Sequence, residues 1–178
     1  MRQALIAAML LLASCNYSPM HPLAPTDVPI ASERDLSGSW CFTSGTSRQY
    51  GTGASIPFIP QYELHEESVI TLRYDGNAIV ADYTSRDGTR KQSTYDIAKE
   101  DARWLDGKLV AHPGAPGNPF GWYHQTSEAK IYRLADGRLV MTASTTDTGL
   151  ACALVPYREK NESVIVMRPA TKGCPAPG

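Results

Sequence analysis

Few residues in this chain stand at the spacings that catalysis or metal binding requires. His65-Glu66-Glu67 begins like the zinc-protease signature His-Glu-x-x-His, but the second histidine is missing and the stretch runs into a β-like segment instead of a helix. It reads as a polar strand start. No Gly-x-Ser-x-Gly elbow and no phosphate-cradling glycine loop occurs. Asp82, Asp96 and Asp101 are spread over turns and strand faces, with no pairing that would make one an acid and another a base. The expectation is a non-catalytic protein with no cofactor and no metal. Surface chemistry concentrates in residues 112–126, where Phe120, Trp122, Tyr123 and His124 combine apolar area with polar tips, as binding surfaces do. A loop of this length is commonly functional, so these four form a candidate binding loop. The alternative folds the aromatics back onto the core. His112 and His124 have no evident third metal ligand.

Four cysteines are present, at 15, 41, 152 and 174. None belongs to a Cys-x-x-Cys pair, so a zinc site is not expected. Cys15 is set apart by what precedes it. Arg2 is followed by an apolar run from Ala4 to Ala13, about ten residues or about 15 Å of helix, half the thickness of a bilayer core. That is the middle of a signal peptide, too short to span. The run ends in Leu12-Ala13-Ser14-Cys15, which resembles the bacterial lipobox. The resemblance implies a lipoprotein, cut before Cys15, with diacylglycerol on the Cys15 sulfur and a further acyl chain, such as palmitate, on its amino group. Such an anchor exceeds the two signals that stable membrane attachment needs. Asn16 in place of the Asp that retains enterobacterial lipoproteins in the inner membrane implies the outer membrane. An uncleaved anchor, or a leader cut by the ordinary signal peptidase, are the alternatives.

The elements that would carry these residues follow in order. A chain of 178 residues fits one domain and can bury a substantial core. Its formal charge of −1, or −2 once Arg2 is removed with the leader, has no basic surplus, and no nucleic-acid partner is expected. After the signal peptide (1–14), residues 15–34 comprise the lipidated cysteine and a linker with Pro19, Pro22, Pro25 and Pro29. Proline at this density favours an extended leash of up to about 60 Å. Residues 35–170 read as a β domain and 171–178 as a tail.

Within the β domain, short alternating runs are punctuated by Gly and Asp. Asp75-Gly76 and Asp136-Gly137, each between β-rich runs, predict hairpins. A strand within Arg103–Ala111 is expected, either continuous or split at Asp106-Gly107, and two more at Leu150–Tyr157 and Ser163–Arg168. Only Lys99–Leu105 suggests a helical turn. The count is about nine strands, eight to ten, in an all-β antiparallel meander closed as a small barrel.

Asp35-Leu36-Ser37-Gly38-Ser39-Trp40 opens the first strand. Gly-x-Trp in this position, ahead of a meander, resembles the lipocalin and wider calycin pattern. The resemblance implies that Trp40 plugs one end of the barrel and stacks with an arginine of the last strand, here Arg168. It departs from the family in having no room for a helix after that strand. With Cys15 lipidated, three cysteines remain, enough for one disulfide. An even strand number would place Cys41, Cys152 and Cys174 near one end, and Cys174 is expected to pair with Cys41 or Cys152. The function expected is an envelope-anchored binding barrel taking an apolar, lipid-like ligand. The alternative is a protein-binding module, either an inhibitor of a periplasmic protease or lysozyme or an envelope assembly factor.

Overall fold

Local chemistry sets the reversals on which the sheet is built. At Asp75-Gly76 the Asp75 carboxylate accepts from the backbone N–H groups of Asn77 and Ala78, both at 2.8 Å. Gly76 takes φ +92°, a conformation that side-chain-bearing residues resist. At the turn after Leu134 the Asp136 carboxylate accepts from Arg138 N at 3.1 Å and Arg138 Nε at 2.7 Å. Both hairpins form where Asp-Gly predicted them.

The computed structural model describes residues 24–32, 34–42, 47–51, 54–64, 68–113, 123–151, 155–170 and 174, with the backbone alone at 123, 151, 155 and 157. The strands are β1 (Gly38–Phe42), β2 (Ser47–Tyr50), β3 (Ser68–Tyr74), β4 (Ala78–Thr84) and β5 (Arg90–Asp96). They continue with β6 (Arg103–Leu105), β7 (Lys108–Ala111), β8 (Tyr123–Arg133), β9 (Leu139–Ala151) and β10 (Val155–Pro169). The domain is thus all-β, with ten antiparallel strands and one 3₁₀ turn at Gln61–Glu63 among the described residues. Alternation is clean where one face is buried: Ile70, Leu72, Ile79, Ala81 and Tyr83 point to the core while Val69, Arg73 and Asp82 do not.

The strand order is β5-β4-β3-β1-β10-β9-β8-β7-β6, with β2 also on β10. First and last strands lie side by side, but the sheet does not close. β5 and β6 are its two ends, which corrects the expectation of a closed barrel. The reason lies between them. Beyond Asp96 the chain coils back on itself, with Ala102 N donating to Ile97 O and Glu100 N to Asp96 O, and Asp101 takes φ +48°. β6 then has three residues, all paired with β7. The segment Lys99–Leu105 is therefore turn and short strand. Leu150–Tyr157, expected as a single strand, is divided between β9 and β10, whose connection at 152–154 lies outside the described residues.

The open sheet still curls around one core. Side chains from β1, β3, β4, β5, β7, β8, β9 and β10 form a single buried cluster. Residues 54–64 enter that cluster from between β2 and β3. Ala54, Ile56, Phe58, Ile59 and Leu64 are all buried, and Phe58 meets Tyr95 edge to face at 4.9 Å. Burying a side chain such as Phe58 contributes about 1.5–3 kcal/mol. This segment acts as a plug.

A second, smaller cluster lies on the outer face. Tyr132, Leu134, Val140 and Val164 are covered by Ala24, Val28 and Ile30. Backbone bonds fix the cover: Ala31 N donates to Arg133 O at 2.9 Å, and Ala135 N to Pro29 O at 2.8 Å. Residues 24–32 of the proline-rich segment are thus a strap held against β8–β10, so this part of the expected leash is docked.

Candidate functional site

The residues singled out in the sequence fall into three groups. Cys15, His65, Glu66, Glu67, Phe120, Trp122 and Cys152 lie outside the described residues. Tyr123 starts β8, and His124 is exposed beside it, its carbonyl accepting from Thr148 Oγ1 at 3.2 Å. Residues 123–126, expected in the loop, are therefore the first four of β8, where pairing with β9 holds them extended. The scattered carboxylates have local partners: Asp82 pairs with Arg73 at 2.9 Å, Asp96 caps Lys99 N at 3.0 Å, and Asp101 lies 3.7 Å from Arg103.

Gly38 and Trp40 lie at the start of β1, and the structure gives their spacing a cause. Gly38 has φ +147°, and a Cβ there would stand 2.8 Å from the Trp40 ring. Trp40 is buried in the main core. Arg168 does not stack on it. The register pairs Cys41 with Arg168 and Trp40 with Pro169, so Arg168 lies on the opposite face from Trp40, where it is exposed. The expected contact is corrected by that one-residue offset, because neighbouring strand positions face opposite ways. A cation–π contact of the same kind forms elsewhere: Arg34 lies 5.9 Å over Trp104, and the Trp104 indole N–H donates to the Tyr74 hydroxyl at 2.7 Å.

Cys41 is bonded to Cys174, with Cα atoms 5.2 Å apart. Of the two partners open to Cys174, the fold selects Cys41. The bond lies on the same face of β1 as Arg168 and fastens the chain beyond β10 to the first strand.

The plug has its own electrostatic latch. Glu63, at the end of the 3₁₀ turn, accepts from the Tyr83 hydroxyl and from Lys91 Nζ, both at 3.0 Å. Arg86 adds backbone and side-chain bonds to Glu63 O and Leu64 O. The Lys91 bond, followed by that of Tyr83, holds the Glu63 carboxyl below its ordinary range. Burial, with the Glu63 bond next, pushes Tyr83 up to about 12. The latch is therefore intact at neutral pH. It weakens as pH falls below 4.5, the ordinary value for Glu63, towards its lower folded one.

Beyond the plug, β8, β9 and β10 continue as a three-stranded ladder whose inward face changes character row by row. Ala129, Ala143 and Ser163 form the first row, Ser127, Thr145 and Asn161 the second, and Gln125, Asp147 and Glu159 the third. Ser163 Oγ accepts from Ala54 N at 2.8 Å, which fixes the mouth of the plug to the first row. Above it is a recess of about 330 Å³ bounded by Ser55, Gln125, Ser127, Thr145, Asp147 and Asn161. The Gln125 amide donates to Asp147 Oδ1 at 2.8 Å.

On the outer face, a groove of about 390 Å³ separates the strap from the same three strands. Its charges are mutually satisfied, Lys130 with Glu128 at 2.6 Å and Lys160 with Glu162 at 2.5 Å. The inner recess has no signature in the sequence, because its rows exist only once three consecutive strands are in register and the plug is seated. Comparison with family models, with curated proteins and with solved structures finds no match for the chain.

Proposed function

We propose that this protein is a lipid-anchored component of a bacterial envelope, attached through acyl chains on Cys15, whose β domain is a non-catalytic binding module working at its surface. Of the two binding modes expected from the sequence, engagement of a partner is favoured over carriage of an apolar ligand. One observation supports that preference: residues 54–64 place Ile56, Phe58, Ile59 and Leu64 in the space a lipid-like ligand would need. The cavity bounded by the inward ladder lies outside this core and carries hydroxyl, amide and carboxylate groups. An apolar guest there would strip water from polar groups without replacing their hydrogen bonds.

Native mass spectrometry of the mature protein, released from its own membranes in a mild detergent, tests the reading. The expected mass is that of the acylated chain alone. A stoichiometric apolar ligand beyond the anchor's own acyl chains would overturn surface binding. In the same cells, Cys15→Ala should abolish incorporation of labelled palmitate, and label entering that variant would refute the anchor.

A further inference from the structure

We infer that the recess on the inward face of β8–β10 is a binding site for a neutral, polyhydroxylated ligand, a glycan segment of disaccharide size. This rests on the surface-binding reading and names the class of ligand at the same site.

The recess is polar by construction. Among the described residues eight polar ones bound it: Ser55, Gln125, Ser127, Glu128, Ser144, Thr145, Asp147 and Asn161. They come from three neighbouring strands and the mouth of the plug, so the fold itself fixes their spacing. Asn161 lies at the floor and is 5% exposed. Gly51, at φ +65°, leaves the space it needs, since a Cβ on Gly51 would stand 2.2 Å from Asn161 Oδ1. Gln125 and Asp147 brace each other in the next row. A buried amide and a braced amide–carboxylate pair are rigid polar groups, which lose little freedom when a ligand docks.

The type of ligand follows from the inventory. Hydroxyls both donate and accept, amides present a donor and an acceptor side by side, and a carboxylate accepts through two oxygens. Together they match vicinal hydroxyl groups, each of which also donates and accepts. Among the described residues no lysine or arginine bounds the recess, so a phosphate, sulfate or carboxylate would find no counter-charge from them, and Asp147 would repel it. Among the described residues the apolar boundary consists of Ala54, Ala143 and Pro113, too little to hold a large hydrophobic side chain. A volume of about 330 Å³ lies at the small end of the range for ligand sites, about 300–1,000 Å³.

The test uses the mature lipoprotein in a sugar-free zwitterionic detergent, screened against immobilised glycans and then titrated by saturation-transfer NMR. Chitotriose and maltotriose serve as neutral probes and 3′-sialyllactose as an anionic one. Saturable binding of a neutral probe is expected. Thr145→Val and Gln125→Leu should each weaken it about tenfold, as loss of one or two hydrogen bonds would, while both variants keep a single cooperative unfolding transition. Binding of the anionic probe alone, equal affinity in both variants, or no neutral glycan bound on the whole array would overturn the assignment. A protein partner cross-linking to Gln125 in place of a glycan would overturn it too, yet leave the surface-binding reading standing. An apolar ligand found by mass spectrometry would instead remove the reading on which it rests.

Discussion

Gly38 shows how much a three-residue pattern contains. The glycine is required twice over: by φ +147° and by an indole that would lie 2.8 Å from any Cβ. Gly38→Ala should therefore lower stability by about 1–3 kcal/mol, combining backbone strain with displacement of a core aromatic. Urea unfolding followed by tryptophan fluorescence measures this, and a loss below about 0.5 kcal/mol would show that Trp40 repacks freely. Ser39→Ala is the control, since its hydroxyl meets Thr71 Oγ1 at 2.8 Å outside the core. The constraint linking Gly38 to Trp40 acts within three residues, a distance over which a sequence pattern can hold it. The placing of Arg168 was not legible in the sequence. Whether it faces Trp40 depends on a register between strands more than a hundred positions apart, and a shift of one residue moves it to the other face.

At the level of elements, legibility followed period and turn chemistry. Alternation and Asp-Gly turns located β3, β4, the end of β8 and the start of β9, and of the two readings of Arg103–Ala111 the one divided at Asp106-Gly107 is found. The plug and the strap have neither signal. Ile56, Phe58, Ile59 and Leu64 stand among prolines without a period of two or of 3.6, so only the tertiary fold reveals that they are core. The consequence is measurable. Phe58 is 1% exposed and packs edge to face on Tyr95. Phe58→Ala should cost about 3–5 kcal/mol, the range for emptying a large aromatic site in a packed core. Chemical denaturation gives the value directly. A cost under about 1 kcal/mol would mean that the segment fills no essential space, and the case against an internal apolar ligand would fall with it. Phe58→Leu, which keeps most of the volume, should recover more than half of the loss.

For the whole molecule, the open sheet makes fastening of the chain ends decisive. Closure would have joined β5 to β6; without it, the curl is held by the shared core and by two ties at the β1–β10 side. The strap covers Tyr132, Leu134, Val140 and Val164 from outside, and the Cys41–Cys174 bond ties the chain after β10 to β1 across 133 residues of sequence. The sequence narrowed this bond to two pairings. Choosing between them needed the pairing of β1 with β10, a long-range contact that no local signal announces. A loop this long restricts the unfolded chain strongly, and removing such a disulfide costs about 2–5 kcal/mol. For a chain of this size that lowers the melting temperature by about 4–20 °C. The double variant Cys41→Ser, Cys174→Ser should show this drop by calorimetry, and added reductant should lower the parent protein's midpoint by a similar amount while leaving the variant unmoved. Peptide mapping under non-reducing conditions supplies the independent check. A fragment joining Cys41 to Cys174 is expected, whereas one joining Cys152 to Cys174 would mean that the chain end is tied to the β9–β10 connection instead of to the first strand.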